Sequence, residues 1–370
     1  MIDQTKLENP QQLFLGLQAG KNYGWGVCSD YLITELSKLT PVHILKESDD
    51  SQENSTLPGK LFQALTNVNL LPLFEMARGN ENYGYTFFEN ELTELSLENA
   101  KQYNLVLAGS SWCRERLREK DIHNCETLIQ GVDPKKFYSI APRKQSKNFV
   151  IFSGGKFELR KGQDLVLKAF KILQEKYEDI ILVNCWYNLW PQSIRLMTNS
   201  PHIKLPDGPI RSWEQYMRSI YELNGLVDSR IKTYELVPNY HLRGIYGYTD
   251  IGIFPNRCEG GTNLVMMEYM ACAKPVIASY TSGHCDVVTN QNALLLNNLK
   301  DIHLYDQNNK LIARWQEPSL EELVEKIEYA YHNREAIHQI GQKAGEDMKK
   351  FTWEQSAINL LRTIGMENRS

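Results

Sequence analysis

The chain has 370 residues, 42% of them hydrophobic and 23% charged, with a net charge of -4. That length suits two ordinary domains, the composition excludes a disordered chain, and the slight negative charge argues against nucleic acid as the main partner. The seven cysteines form no CxxC pair, which excludes the usual zinc spacings and a dense disulfide framework. No run of eighteen apolar residues occurs, and the opening MIDQTKLENPQQ is too polar for a signal peptide, so the expectation is a cytoplasmic protein whose membrane contact, if any, is peripheral.

In chain order, Leu13 to Ala19 reads as a first strand, leading through the turn Gly20 to Gly26 into a helical pattern from Val27 to Leu39. Strand, glycine turn and helix can bind phosphate, although Gly24, Trp25 and Gly26 read equally as a tight packing turn. Pro41 to Lys46 suggests a second strand, and Glu47 to Gly59 an exposed loop. Glu89 lies at the centre of GNENYGYTFFENELTEL, where it also reads as a partly exposed carboxylate ahead of a helix. Tyr103 to Ala108 is a strand, after which Ser110 or Ser111 can cap a helix. Glu126 to Gln130 and IQGVDPKKF give a strand and turn, and the polar run Ala141 to Lys147 reads as an interdomain linker.

The apolar strand Asn148 to Ser153 opens a second half. SGGKFELRKGQDLVLKAFKIL follows it, with Lys156, Arg160 and Lys161 in a glycine-bounded loop ahead of an amphipathic helix; Arg160 is expected to face solvent. Asp179 to Asn184 is a strand, and the aromatic stretch CWYNLWPQS beyond it either covers a cleft or fills a surface groove. Gln192 to Asn224 is polar and partly helical, and Ile231 to Leu236 is another strand.

The densest chemistry lies between Tyr248 and Ser279, which read as a βαβ unit. Ile251 to Phe254 is a buried parallel strand, and a helix starts near Asn263, capped by Thr262 or Asn263, and stops before Pro275. Glu259, Gly260 and Gly261 occupy the turn, and Glu268 lies on the helix. Gly260 and Gly261 are expected to admit φ values that other residues resist and to let backbone approach a ligand. The first helical amides, from Thr262 and Asn263 through Leu264 and Val265, suit phosphate oxygens, whereas the carboxylates suit sugar hydroxyls and repel phosphate. A ligand that is part sugar and part diphosphate meets both demands. In isolation, Glu259 reads equally as a solvated loop carboxylate and Glu268 as an exposed helix residue. His284 and Asp286 in SGHCDVV lie past the next strand, where they could approach the sugar part of such a ligand, although a histidine in a polar loop reads first as a surface residue and His284 is expected there. Leu320 to Tyr331, Ala336 to Met348 and FTWEQSAINLLRTIG are helical.

EGGTNLVMMEYMACAKPVIAS resembles the E-x7-E signature of the retaining glycosyltransferases of family 4, which have the GT-B fold, except that eight residues separate Glu259 from Glu268. SGGKFELRKG is similar to the family's G-R-L-x-x-x-K-G, with Lys156 in place of the Arg and Lys161 matching the Lys, and GVDPKKF resembles GVD-x-x-x-F. The resemblance implies an α/β protein with two Rossmann-like parallel-sheet domains facing a cleft. It divides the chain into an acceptor domain over residues 1–146, a donor domain over 147–350 and a helix over 351–370 that crosses back to the first domain. It assigns Lys156 and Lys161 to the donor diphosphate, Glu259 to the donor sugar, Glu268 with the amides of 260–265 to donor binding, and Gly24, Trp25 and Gly26 to contacts across the cleft. Relatives often carry an acceptor-side histidine that this chain lacks between His43 and His123, so Glu89 is the candidate there.

The implied activity is sugar transfer with retention from a nucleoside diphosphate sugar to a glycan, a lipid-linked acceptor or another hydroxyl. No cofactor or metal is implied beyond that donor. A nucleotide-sugar epimerase of the same fold and a nucleotide-sugar-binding protein of little activity are the alternatives.

Overall fold

The structure is a computed structural model that describes residues 12–17, 20, 24–46, 56–66, 68–143 and 146–367. Expectations for 1–11, for 18–19 and 21–23 around the first turn, for the loop residues 47–55 and for linker residues 144–145 lie outside the described residues. Two six-stranded parallel sheets face each other. The first contains β1 (Leu13–Gly16), β2 (Val42–Ile44), β3 (Thr56–Ala64), β4 (Arg78–Thr86), β5 (Leu105–Ala108) and β6 (Cys125–Thr127), in the order β2-β1-β3-β4-β5-β6. The second contains β7 (Phe149–Gly155), β8 (Ile180–Trp186), β9 (Ile231–Thr233), β10 (Ile251–Phe254), β11 (Val276–Ser279) and β12 (Leu294–Leu296), in the order β12-β11-β10-β7-β8-β9. An antiparallel hairpin follows, β13 (Leu299–Tyr305) with β14 (Leu311–Pro318).

Helices cover the sheet faces, which is why the central strands are continuous apolar runs: Leu13 to Gly16 and Ile251 to Phe254 are buried at every position. The helices are α1 (Gly24–Leu39), α2 (Glu94–Ala100), α3 (Ser111–Arg118), α4 (Gln163–Lys176), α5 (Trp213–Leu223), α6 (Asn239–Gly247), α7 (Leu264–Ala271), α8 (Leu320–His332), α9 (Arg334–Met348) and α10 (Trp353–Thr363). Leu165, Ala169, Phe170 and Leu173 turn one stripe of α4 into the core between α4 and the second sheet. The last helix returns to the first sheet. Trp353, Ala357 and Leu360 of α10, with Ile364 just after it, share a buried cluster with Leu13 and Leu15 of β1 and with Leu32 and Leu36 of α1.

Three sequence expectations change. Residues 56–59, read as loop, begin β3, and the polar stretch around Asn80 to Asn82 is part of β4, paired with β3 and β5. The strand expected over Ile231 to Leu236 ends at Thr233, and Glu235, Leu236 and Val237 line the cleft. Helix α1 starts at Gly24, so Gly24, Trp25 and Gly26 form its first turn instead of a preceding loop. No helix among the described residues is long and apolar enough to cross a membrane.

Candidate active site

A cleft of about 570 Å³ opens where the carboxyl ends of the two sheets meet, the usual place for ligands in open α/β sheets. Its second-sheet wall is built on β10 and α7. Asn263 adopts a left-handed conformation, φ 63°, and its side chain accepts from the Met266 amide at 3.4 Å, capping α7. Neither Gly260 nor Gly261 has positive φ, so the expected role of these glycines in supplying it passes to Asn263. Gly260 is required by proximity instead: a Cβ there would lie 2.5 Å from the Phe88 carbonyl oxygen of the opposite half. Gly261, Asn263, Leu264 and Val265 line the cleft, whereas Gly260 turns toward Phe88 and Thr262 is buried with its hydroxyl donating to Met267 Sδ.

Glu259 and Glu268 both line the cleft and are each only 4% exposed. Their electrostatics diverge. Burial alone would raise the Glu259 carboxyl, but Lys161 and Arg160, with His284 behind, hold it down at about 2. Lys161 Nζ and the Asn256 amide donate to Glu259 Oε1, and Arg160 Nη1 approaches it at 3.3 Å. Among the described residues, Glu268 has no such cation in contact. Burial pushes its carboxyl up to about 8, against the Asn239 amide, which donates to Oε1 at 2.6 Å.

The cations come from the loop after β7. Arg160, expected to face solvent, instead turns inward, with Nε 2.9 Å from Glu158 and Nη1 3.2 Å from Glu89. Burial opposes its charge, but Glu89, Glu158 and Glu259 together outweigh that and raise its pKa. The loop is held by the fully buried Arg257, whose two terminal nitrogens meet Asp164 at 2.8 and 2.7 Å and whose amide donates to the Arg160 carbonyl at 2.7 Å. Lys156 Nζ sits over the Trp190 ring, 4.6 Å from its centroid. That stretch beyond β8 therefore lines the cleft, through Tyr187, Leu189 and Trp190.

The first-sheet wall includes Gly24, Trp25 and Glu89. Gly26 packs instead, since a Cβ there would fall 1.8 Å from the Gly20 carbonyl oxygen. Trp25 stands edge-on to Phe87, with centroids 4.7 Å apart. Polar contacts tie the two walls together. Glu89 accepts from the Gly260 amide at 3.3 Å, Ser110 donates to the Gly260 carbonyl at 2.7 Å, and the Ser111 amide donates to Asp286 at 2.7 Å. His284, expected at the surface, is fully buried. Burial holds its imidazole down at about 4, Nε2 lies 3.2 Å from Asn263 Nδ2, and Nδ1 lies 3.2 Å from the Ser279 carbonyl.

Asn239, Tyr187, Trp190 and Arg160 join the site without having been singled out as site residues. Asn239 follows Pro238 at the head of a short helix, where a polar first-turn residue is a readable signal. Glu158, two residues before Arg160, is a local partner, but Glu89 and Glu259, which turn Arg160 into the cleft, are 71 and 99 residues away in the chain. Among the described residues, no three or more His, Cys, Asp or Glu side chains cluster as a metal site.

A family model described as glycosyl transferases group 1 matches residues 134–347. An uncharacterized glycosyltransferase of Methanocaldococcus jannaschii is 32% identical over 110 residues, a match that covers 30% of this chain and 26% of that protein. The chain thus spans about a quarter of the curated relative's length. Sucrose-phosphate synthase from Thermosynechococcus elongatus superposes with a TM-score of 0.65 at 14% identity, covering 96% of this chain and 98% of that one. HepE of Anabaena, crystallised with UDP, gives 0.62 at 13% identity, covering 96% and 100%. Identities this low carry the fold alone, and the fold is GT-B. The family model spans more than half of the chain, which therefore belongs to the glycosyl transferases group 1 family.

Proposed function

We propose that the protein is a glycosyltransferase of the family 4 kind, which moves a sugar from a nucleoside diphosphate sugar to a hydroxyl of a glycan or lipid-linked acceptor, with retention and without a metal. One observation carries this reading. A single cleft holds a cation-bound carboxylate, Glu259, a cation-poor carboxylate, Glu268, and the start of α7, which lies between them in the chain.

Glu268 with Asn239 is suited to the ribose, since a carboxylate whose charge burial disfavours gains most from hydroxyl donors. Glu259 is suited to hydroxyls of the donor sugar, beside Lys161, which meets the phosphate joined to that sugar. In the transferring step the bond from the anomeric carbon to the diphosphate oxygen breaks and its electron pair leaves with the diphosphate. Lys161, Lys156 and the first amides of α7 stabilise that charge from fixed positions. The acceptor hydroxyl bonds to the same face of the carbon, and its proton passes to the departing oxygen. Glu89, on the opposite wall and ion-paired to Arg160, orients the acceptor. Side-chain cations fill the charge-neutralising role, so the reading calls for no divalent ion. HepE of Anabaena has been crystallised with UDP and glucose, which favours a nucleotide-sugar donor for this chain as well.

Lys161→Ala is expected to lower turnover per folded molecule about a hundredfold to a thousandfold, roughly 2.7–4 kcal/mol, the scale for losing one donor to a developing oxyanion. Folding is checked by circular dichroism. Unchanged turnover in the folded variant would remove Lys161 from the mechanism.

A further inference from the structure

A second cavity, of about 280 Å³, lies between α3 of the first half and the β13–β14 hairpin of the second. Its side chains carry an uneven charge. Arg116, Arg314 and Arg257 line it, with His303 and a single carboxylate, Asp301. Arg257 is neutralised from behind by Asp164 and Glu317, at 2.7 Å to each. Arg314 and Arg116 are paired differently. Arg314 meets Glu91 at 2.8 and 2.9 Å, and Arg116 meets Glu119, but neither carboxylate is among the lining residues. The Arg116–Glu119 pair is partly exposed, the class that contributes little, whereas Arg314 holds Glu91 through two parallel hydrogen bonds that an anion in the cavity must displace.

The cavity also adjoins the backbone of the active site. Trp315, in its wall, donates from Nε1 to the Glu89 carbonyl at 2.7 Å, and Ser282, also in the wall, accepts from the Glu259 amide at 2.8 Å. Trp112 forms an aromatic face over which the Arg116 guanidinium lies, 6.0 Å from the ring centroid. Two arginines, an aromatic face and the hydroxyl of Ser282 suit an anionic group on a sugar, because guanidinium groups match the oxygens of phosphate and carboxylate; the Thr281 hydroxyl is committed to Gln316 Oε1 at 2.6 Å. The volume is just below the range of drug-sized sites, about 300–1,000 Å³, which limits the occupant to a group of this small size.

We propose that this cavity binds a phosphate or carboxylate carried by the acceptor sugar, beside the Glu89 wall of the active site. The assignment rests on the transferase reading above. Glu91 occupies Arg314 when the cavity is empty and releases it to the anion, so the two variants Arg314→Gln and Glu91→Gln act in opposite directions.

The test follows intrinsic tryptophan fluorescence, to which Trp112 and Trp315 report, during titration of the full chain with inorganic phosphate, glucose 6-phosphate, glucuronate and glucose. Glucose 6-phosphate or glucuronate is expected to give a saturable change at lower concentration than inorganic phosphate, and glucose none. Arg314→Gln should weaken the response about tenfold or more, the loss of a charged hydrogen-bonding partner, whereas Glu91→Gln should strengthen it. Weakening by both variants would show that the pair only braces the two halves. Equal response to inorganic phosphate and the sugar anions would remove the acceptor from the assignment, and no saturable change with any anion would remove the site. Thermal stabilisation by nucleoside diphosphates, measured in the same variants, reports on the donor cleft separately; its absence alone would overturn the transferase reading and not the anion site.

Discussion

Glu268 is the residue whose environment makes the sharpest solution prediction. Its folded pKa of about 8 lies above its ordinary value of 4.5. Between those two pH values the folded protein keeps a proton that the unfolded chain has released, so stability falls as pH rises from about 4.5 to about 8. Glu268→Gln removes that loss. Relative to the parent, the variant should gain stability on the order of a few kcal/mol at pH 8.5 and almost none at pH 4, read by urea denaturation at both. The same difference at both pH values would mean that Glu268 is ionised alike in folded and unfolded states. Glu259 behaves oppositely: its depressed value contributes stability above pH 4.5 that is lost as pH falls toward about 2. Both glutamates were legible in the sequence because a glycine turn and a helix start lie beside them. Their unlike charge states were not, because the partners that distinguish them, Arg160 and Lys161 in the loop after β7 and Asn239 at the start of α6, lie far from them in the chain.

At the scale of elements, α7 depends on the residue that precedes it. Asn263 both caps the helix and holds φ at 63°, a conformation that asparagine and glycine tolerate and alanine resists. Asn263→Ala should therefore cost about 2 kcal/mol, the sum of a lost cap and left-handed strain, while Asn263→Gly costs clearly less. Chemical denaturation measures both; equal losses would contradict the backbone argument. The strands flanking this helix were readable as short apolar runs, since burial on both faces leaves no polar position to confuse the pattern. Strand β4 was not readable in the same way. Asn80, Glu81 and Asn82 interrupt it near its open end, and the continuous buried run is confined to Tyr83 to Thr86. The β13–β14 hairpin did carry a signal, alternation of Ile302 and Leu304 with Asp301 and His303 before the turn around Asp306 to Asn309, but period-two patterning in a parallel α/β chain was easy to pass over.

At the scale of the molecule, two parallel sheets are brought together at their carboxyl ends by polar contacts between Glu89 and Arg160, Ser110 and Gly260, and Ser111 and Asp286. Helix α10 adds an apolar tie, burying Trp353 and Leu360 with Leu13 and Leu15 of the first sheet. The groups that line the cleft belong to neither half alone, which is why motif order could suggest the cleft but not show how Glu89 meets the cations of the other wall. The most direct test of the central claim is a panel of UDP-, GDP-, ADP- and TDP-sugars, followed for thermal stabilisation and for slow release of nucleoside diphosphate, with and without EDTA. Stabilisation by one nucleotide series, with release that EDTA leaves unchanged, is the predicted result; no response to any of the four series would contradict a nucleotide-sugar transferase.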